Sequence, residues 1–236
     1  MDALSTPALT GIRRLSALDT VRARIALAVE LGLLQPGEPL PPGPEIARAL
    51  GVGEPTVRRA LESLCADGVL ERRRGRGGGT LVAANPVRGT VAEINAYTDA
   101  TAEVHELIDH RLALESGLVH LAALRRSDAD VVALHELVDG MENAHCWAEF
   151  HDLDARFHRT VIAASGLPSA VARYDDLMRD LYRYYLPYPI EYLLESNREH
   201  DELVTAIEHR DPAAAVAVTC KHVEVLHQTM LSRHKD

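Results

Sequence analysis

Aromatic residues make up only 4% of this chain, against an abundance of Ala, Leu and Val. Strands favour aromatic and β-branched side chains, so the composition argues for packed helices rather than a β-sandwich. Cysteine is scarce too: Cys65, Cys146 and Cys220 form an odd set with no CxxC pair. That pattern points to a reducing compartment, with all three thiols serving as inert small apolar residues. There is no run of about 18 uncharged apolar residues, and no basic segment precedes an apolar one. Secretion and membrane spanning are therefore not expected, and the protein is predicted to be cytoplasmic. The 236 residues suffice for one large or two small domains with real cores.

The net charge of −10 divides unevenly. Residues 1–84 carry 11 Arg against 9 Asp and Glu, for +2, which leaves −12 on residues 85–236. A locally basic head on an acidic body suits two domains with different partners, because phosphate contacts depend on the local cluster.

In the head, residues 19–31 place Val21, Ile25, Ala28 and Val29 at helical spacing behind Asp19, a candidate cap. Gln35-Pro36-Gly37 marks a turn. A short helix is predicted over 44–50, opened by Pro44 and stopped by Gly51. A second begins near Glu54 and ends before Gly68, with Val57, Ala60, Leu61 and Leu64 on its core face. Arg59 then points directly away, flanked by Thr56 and Arg58, so polar and cationic groups project from the first turns. An ordinary solvated helix could look the same. The following segment decides it: strands at 69–72 and 80–82 enclose Gly75-Arg76-Gly77-Gly78-Gly79, with Arg72, Arg73 and Arg74 beside them. Glycines let backbone N–H groups approach a phosphate, and Arg76 at the tip could enter a minor groove. No GxxxxGK phosphate-loop motif is present, and the glycines lead into a strand rather than a helix, so a nucleotide loop is not the reading.

PGEPLP, the LGV-xx-xTVRRAL helix and RRGRGGGTLV resemble the winged helix-turn-helix of the GntR family of bacterial transcription regulators, over about residues 15–84. The resemblance implies DNA contacts at Arg58, Arg74, Gly75 and Arg76, with Thr56 and Arg59 beside them. Two positions depart from it. Gly53-Glu54 stands where the family has Ser or Thr followed by Arg, and Pro44 where some relatives carry an arginine. Glu54 either accepts from a cytosine amine or lies away from DNA.

Past a connector at 84–89, the chain reads as helices at 101–125, 128–144, 147–165, 168–186, 190–209 and 212–234. Six or seven antiparallel helices are the expected architecture. His151, Asp154 and His158 in HDLDARFH share one helix face. A carboxylate and an imidazole four residues apart can both reach one ion, and that donor set suits Zn, Ni, Mn or Fe over Ca or Mg. Most such pairs in a chain with 12 histidines are simply solvated.

RLALE at 111–115, DxxFH at 154–158, His200 and His222 resemble the FCD ligand-sensing domain of the FadR subfamily, over about residues 98–234. The resemblance implies a metal held by Asp154, His158, His200 and His222, with Zn first among the candidates, and an effector-facing Arg111. Arg111 reads equally as an i,i+4 salt-bridge partner of Glu115. His151 is outside the implied set and is expected beside the ligands or at the surface, and Cys220 is expected in the core. Leu167 replaces an Asn that relatives often carry.

The expectation is a mainly α protein: a winged helix-turn-helix with a small hairpin at 12–84, a linker at 85–97, and an all-α antiparallel bundle at 98–236. It would act as a homodimeric regulator, a repressor in the first instance, reading a pseudo-palindromic double-stranded operator and sensing a small carboxylate. Two alternatives stay open: a metalloenzyme using the His/Asp site, and a regulator whose metal is purely structural.

Overall fold

The computed structural model describes residues 15–75, 78–92, 94 and 101–230. Arg76 and Gly77, residues 12–14, 93 and 95–100, and the 231–236 tail lie outside the described residues.

Helix α1 (Ala17–Glu30) is capped by Ser16, whose hydroxyl accepts from the Asp19 backbone N–H at 3.2 Å. The expected cap, Asp19, instead sits inside the first turn, where its charge suits the helix N-terminus. α2 (Gly43–Ala49) has Pro in its first turn, and the chain leaves it through Gly51 at φ 63°. α3 (Glu54–Ala66) buries Val57, Ala60, Leu61 and Leu64. Strands β1 (Leu70–Arg73) and β2 (Gly79–Val82) pair antiparallel with Leu70 opposite Val82 and Arg73 opposite Gly79. The hairpin is thus offset by one residue from the strands expected at 69–72 and 80–82. Its turn depends on Gly78, where a Cβ would lie 2.3 Å from the Arg73 carbonyl oxygen.

The helical part comprises α4 (Thr101–Arg125), α5 (Asp128–Glu142), α6 (Trp147–Ala164), α7 (Pro168–Leu181), α8 (Ile190–Glu208), α9 (Pro212–Glu224) and α10 (Leu226–Thr229). α9 lies along α4, which also packs on α6 and α7, while α5 bridges α6 and α8. Leu134, Phe157, Val161, Val204 and Ile207 fill the space between them. Two expected helices stop early. The one expected to reach 186 ends at Leu181 in a 3-10 turn, Tyr182–Tyr184, and Tyr185 is extended. Pro187 restrains only Leu186, so it bars continuation past that residue but does not account for the earlier end. The helix expected over 212–234 breaks at Val225. Among the described residues no helix is long and apolar enough to cross a membrane.

The two halves share a core. Ile25, Ile46, Leu61 and Leu64 of the head belong to one apolar cluster with Trp147, Ala148, Leu186 and Tyr188 of the bundle. Buried Arg24 of α1 donates from Nε to the Tyr185 carbonyl. The connector also packs on the head, with Val87 N–H on Gly68 O at 3.1 Å and Gly89 N–H on Glu30 Oε1 at 2.8 Å.

At the start of α5, Ser127 and Asp130 form a reciprocal capping box: Ser127 Oγ accepts from Asp130 N–H at 3.2 Å, and Ser127 N–H donates to Asp130 Oδ2 at 2.8 Å. Ser127→Ala should therefore lower stability to urea by about 0.5–2 kcal/mol. An unchanged midpoint would show that the box contributes nothing.

Candidate metal centre and nucleic-acid interface

The i,i+4 spacing on α6 aims Asp154 and His158 at the same point. α8 brings His200 and α9 brings His222. One donor atom from each of the four lies within 4.8 Å of the others. Asp154 Oδ1 is 3.6 Å from His158 Nε2 and 3.4 Å from His200 Nε2. Asp154, His158 and His200 are buried, and His222 is half-buried.

The remaining ring nitrogens are all committed elsewhere. His158 Nδ1 contacts Glu115 Oε1 at 2.8 Å, His200 Nδ1 contacts Asn197 Oδ1 at 3.1 Å, and His222 Nδ1 contacts Glu199 Oε2 at 2.9 Å. The Asn197 amide is oriented by its Nδ2 donating to the Val138 carbonyl at 3.1 Å. Each partner is an oxygen acceptor, so each Nδ1 carries a proton, and in the neutral ring that leaves the lone pair on Nε2. His200 Nε2 is buried and has no hydrogen-bond partner. A lone pair facing a carboxylate oxygen at 3.4 Å is repulsive unless a cation lies between them. That orphaned nitrogen fits a metal, and the outer carboxylates and amide are the partners metal-bound histidines usually have.

Electrostatics favour coordination at two of the three imidazoles. Burial holds His200 and His222 below the ordinary imidazole range, the latter despite its hydrogen bond to Glu199, so both stay neutral and able to coordinate. Burial would raise the Asp154 pKa, yet the neighbouring imidazoles, His158 foremost, outweigh it and keep the carboxylate ionised. Burial also opposes charge on His158, but the Glu115 carboxylate prevails and raises its pKa, so at this imidazole a metal on Nε2 would compete with a proton.

Arg111 lies beside this centre, only 1% exposed. Its Nε donates to Glu115 Oε2 at 2.7 Å and its Nη1 to Tyr185 Oη at 2.5 Å, while Nη2 is 3.1 Å from His158 Nε2. The two readings of Arg111 are therefore compatible: it pairs with Glu115 and also adjoins the donor cluster. The ion pair is interior rather than a surface i,i+4 pair, so removing one partner would cost about 3–5 kcal/mol instead of a few tenths.

His151 is half-buried, edge-on to Tyr182 with ring centroids 4.9 Å apart, and outside the donor group. Burial pushes its pKa down to about 4. Cys220, expected in the core, is only half-buried, 3.6 Å from Ser116 Oγ. Sequence reasoning missed Asn197, Glu199 and Tyr185. It also missed that nine of the ten aromatic residues fall between positions 147 and 192. That concentration marked the walls of a cavity of about 60 Å³, lined among others by Arg24, Arg111, Trp147, Asp154, Tyr185 and His222.

On the head, a groove opens beside the N-terminus of α3, lined by Pro44, Glu54, Pro55, Arg58, Arg72 and Thr80. Thr56 is half-buried, and Arg58, Arg59, Arg74 and Gly75 are exposed. Arg59 folds back, donating to the Pro55 carbonyl at 3.3 Å. Arg58 has no hydrogen bond or ion pair among the described residues. Glu54 is exposed and lines the same groove as Arg58, so it does not lie away from this face.

Residues 17–82 match the family described as bacterial regulatory proteins, gntR family, and residues 106–225 match the FCD domain. RmpR of Mycobacterium gastri, named as an HTH-type transcriptional regulator, is 30% identical over 210 residues, covering 87% of this chain and 77% of RmpR. The HTH-type transcriptional repressor NanR of Cronobacter sakazakii is 28% identical over 205 residues, covering 82% and 77% of the two chains. Among solved structures, Streptococcus agalactiae GntR is 26% identical, with 90% of this chain and 99% of that one covered at a TM-score of 0.45. Both matched families and these curated relatives are regulators, so the metalloenzyme alternative is not favoured. With an N-terminal winged helix followed by an FCD domain, this chain belongs to the GntR family of DNA-binding transcription regulators.

Proposed function

We propose that the protein is a homodimeric, metal-dependent sensor of a small organic acid, of the FadR subfamily and acting as a repressor. The observation that carries this reading is the convergence of three imidazoles and one carboxylate, with every Nδ1 tied to an outer partner. Asp154, His158, His200 and His222 would hold the ion, Zn by preference and Ni, Mn or Fe as alternatives. The metal would supply positive charge and open positions for an acid's oxygen. The working division is a DNA-binding unit over 12–84, a linker over 85–97 and a sensing unit over 98–236.

His158 has one Nε2 lone pair, so coordinating a cation and accepting from Arg111 are alternatives. A bound metal therefore releases Arg111 Nη2, a buried donor next to the site, to pair with the acid's carboxylate. Arg111 also donates to Tyr185 Oη, and the Tyr185 carbonyl accepts from Arg24 of α1. This short chain of contacts links the sensing site to the head directly. A coupling of about 1–3 kcal/mol between acid and operator would give roughly 5- to 150-fold regulation.

On DNA, α3 of each protomer would enter the major groove of one half-site of a pseudo-palindromic operator. Thr56, Arg58 and Arg59 would lie at the groove, with Arg74, Gly75 and Arg76 on the adjoining backbone or minor groove.

Arg58→Ala should weaken operator binding about 10-fold or more in a gel-shift titration, in line with the 1–3 kcal/mol of a base-reading arginine. Unchanged affinity removes Arg58 from the contacts. His222→Ala should take metal content by elemental analysis from about one equivalent per protomer to near zero, and undiminished metal rejects the ligand set. In the unsubstituted protein, a chelator should both lower the melting temperature and abolish the acid response of operator binding. A lowered melting temperature with the response intact would instead make the metal purely structural.

A further inference from the structure

We infer that Trp147 is a ligand-specificity residue, its indole N–H donating to an acceptor oxygen at the far end of an acid whose carboxylate is held near Asp154. This deepens the acid-sensing reading and rests on it. Trp147 is 6% exposed, and its Nε1 is buried without a hydrogen-bond partner. An indole N–H can only donate, so no change of tautomer or proton can satisfy it. Leaving such a donor unpaired costs about 1–3 kcal/mol. Trp147 lines the same cavity as Arg111, Asp154 and His222, and that cavity is where a partner can arrive.

Helix geometry sets the length of the ligand. Trp147 precedes Asp154 by seven residues on α6, which is two turns along the same face and an axial rise of about 10 Å. The contacts at the two ends, about 2 Å on either side of the ion and about 3 Å at the indole, take up much of that rise, so the ligand is a short chain. Short acids with oxygen at both ends are of that size. The cavity is small, about 60 Å³, which suits a short acid rather than a long one. Phe150, Tyr188 and Tyr192 give the cavity apolar sides, and Arg24 adds a cation to its lining. A distal hydroxyl or a distal carboxylate would each be accepted, whereas a methyl end would leave the indole unpaired.

The test uses zinc-loaded full-length protein titrated by calorimetry with 4-hydroxybutyrate, succinate and butyrate, which share a four-carbon length and differ at the far end. The first two should bind about 10-fold more tightly than butyrate, and Trp147→Phe should bind all three alike. Discrimination that survives in Trp147→Phe overturns the inference, as does an unsubstituted protein that binds butyrate equally well. Should the variant fail to hold stoichiometric zinc, fluorescence of the unsubstituted protein decides, because Trp147 is the sole tryptophan. Its emission should shift with 4-hydroxybutyrate and succinate and not with butyrate; an emission indifferent to the far end overturns the inference. If zinc binds fully and none of the three acids does, the acid-sensing reading itself falls and takes this one with it.

Discussion

The Glu115 carboxylate, buried without any contact with solvent, is the constraint on which the sensing half of the molecule depends. An isolated charge there would be untenable. It persists because Arg111 Nε, His158 Nδ1 and Tyr174 Oη all converge on it, the last at 3.1 Å. Burial alone would raise its pKa, yet Arg111 and His158 together hold it well below the usual carboxylate range. Each donor is thereby fixed for another purpose. His158 must present Nε2 toward Asp154, and Arg111 must extend its remaining nitrogens toward His158 and Tyr185. Tyr174 ties α7 to α4 at the same point. One anion thus sets a tautomer, a guanidinium and a helix position.

That anchoring explains why the donor cluster needs support from several helices. Asp154 and His158 come from one face of α6, but the lone pairs of His200 and His222 are aimed by Asn197 and Glu199, both on α8. Glu199 also meets Lys221 at 3.1 Å, so α9 is held by two contacts to the same side chain. The outer residues belong to the same few helices as the donors, so the site is prearranged by bundle packing rather than assembled by an ion from loose loops.

Much of this was legible in the sequence because its signals are local. Gly51, Gly68, Pro168 and Pro212 punctuate helices at recognisable places, and the Arg/Gly run at 72–79 has few uses other than a hairpin wing. The convergence of Asp154, His158, His200 and His222 could be anticipated from a spaced pair together with a family resemblance. What escaped depends on which faces meet. Arg24 sits among Val21, Ile25 and Ala28 on α1 and reads as one charge on an amphipathic helix; only tertiary packing reveals that it is buried against Tyr185. Asn197 and Glu199 look like surface polars of α8. The end at Leu181, ahead of the limit that Pro187 sets, leaves no mark that helical periodicity registers.

The apolar cluster that joins Ile25, Ile46 and Leu64 to Trp147, Leu186 and Tyr188 has a further consequence. A reading head tethered by a slack string could swing through any angle at little expense. Here, tilting it means prising apart close-packed hydrocarbon, and well-packed interiors yield by jumping between discrete arrangements rather than by bending smoothly. Gene control through such a seam would behave as a latch instead of a dimmer, with the head seated or unseated and few molecules caught between.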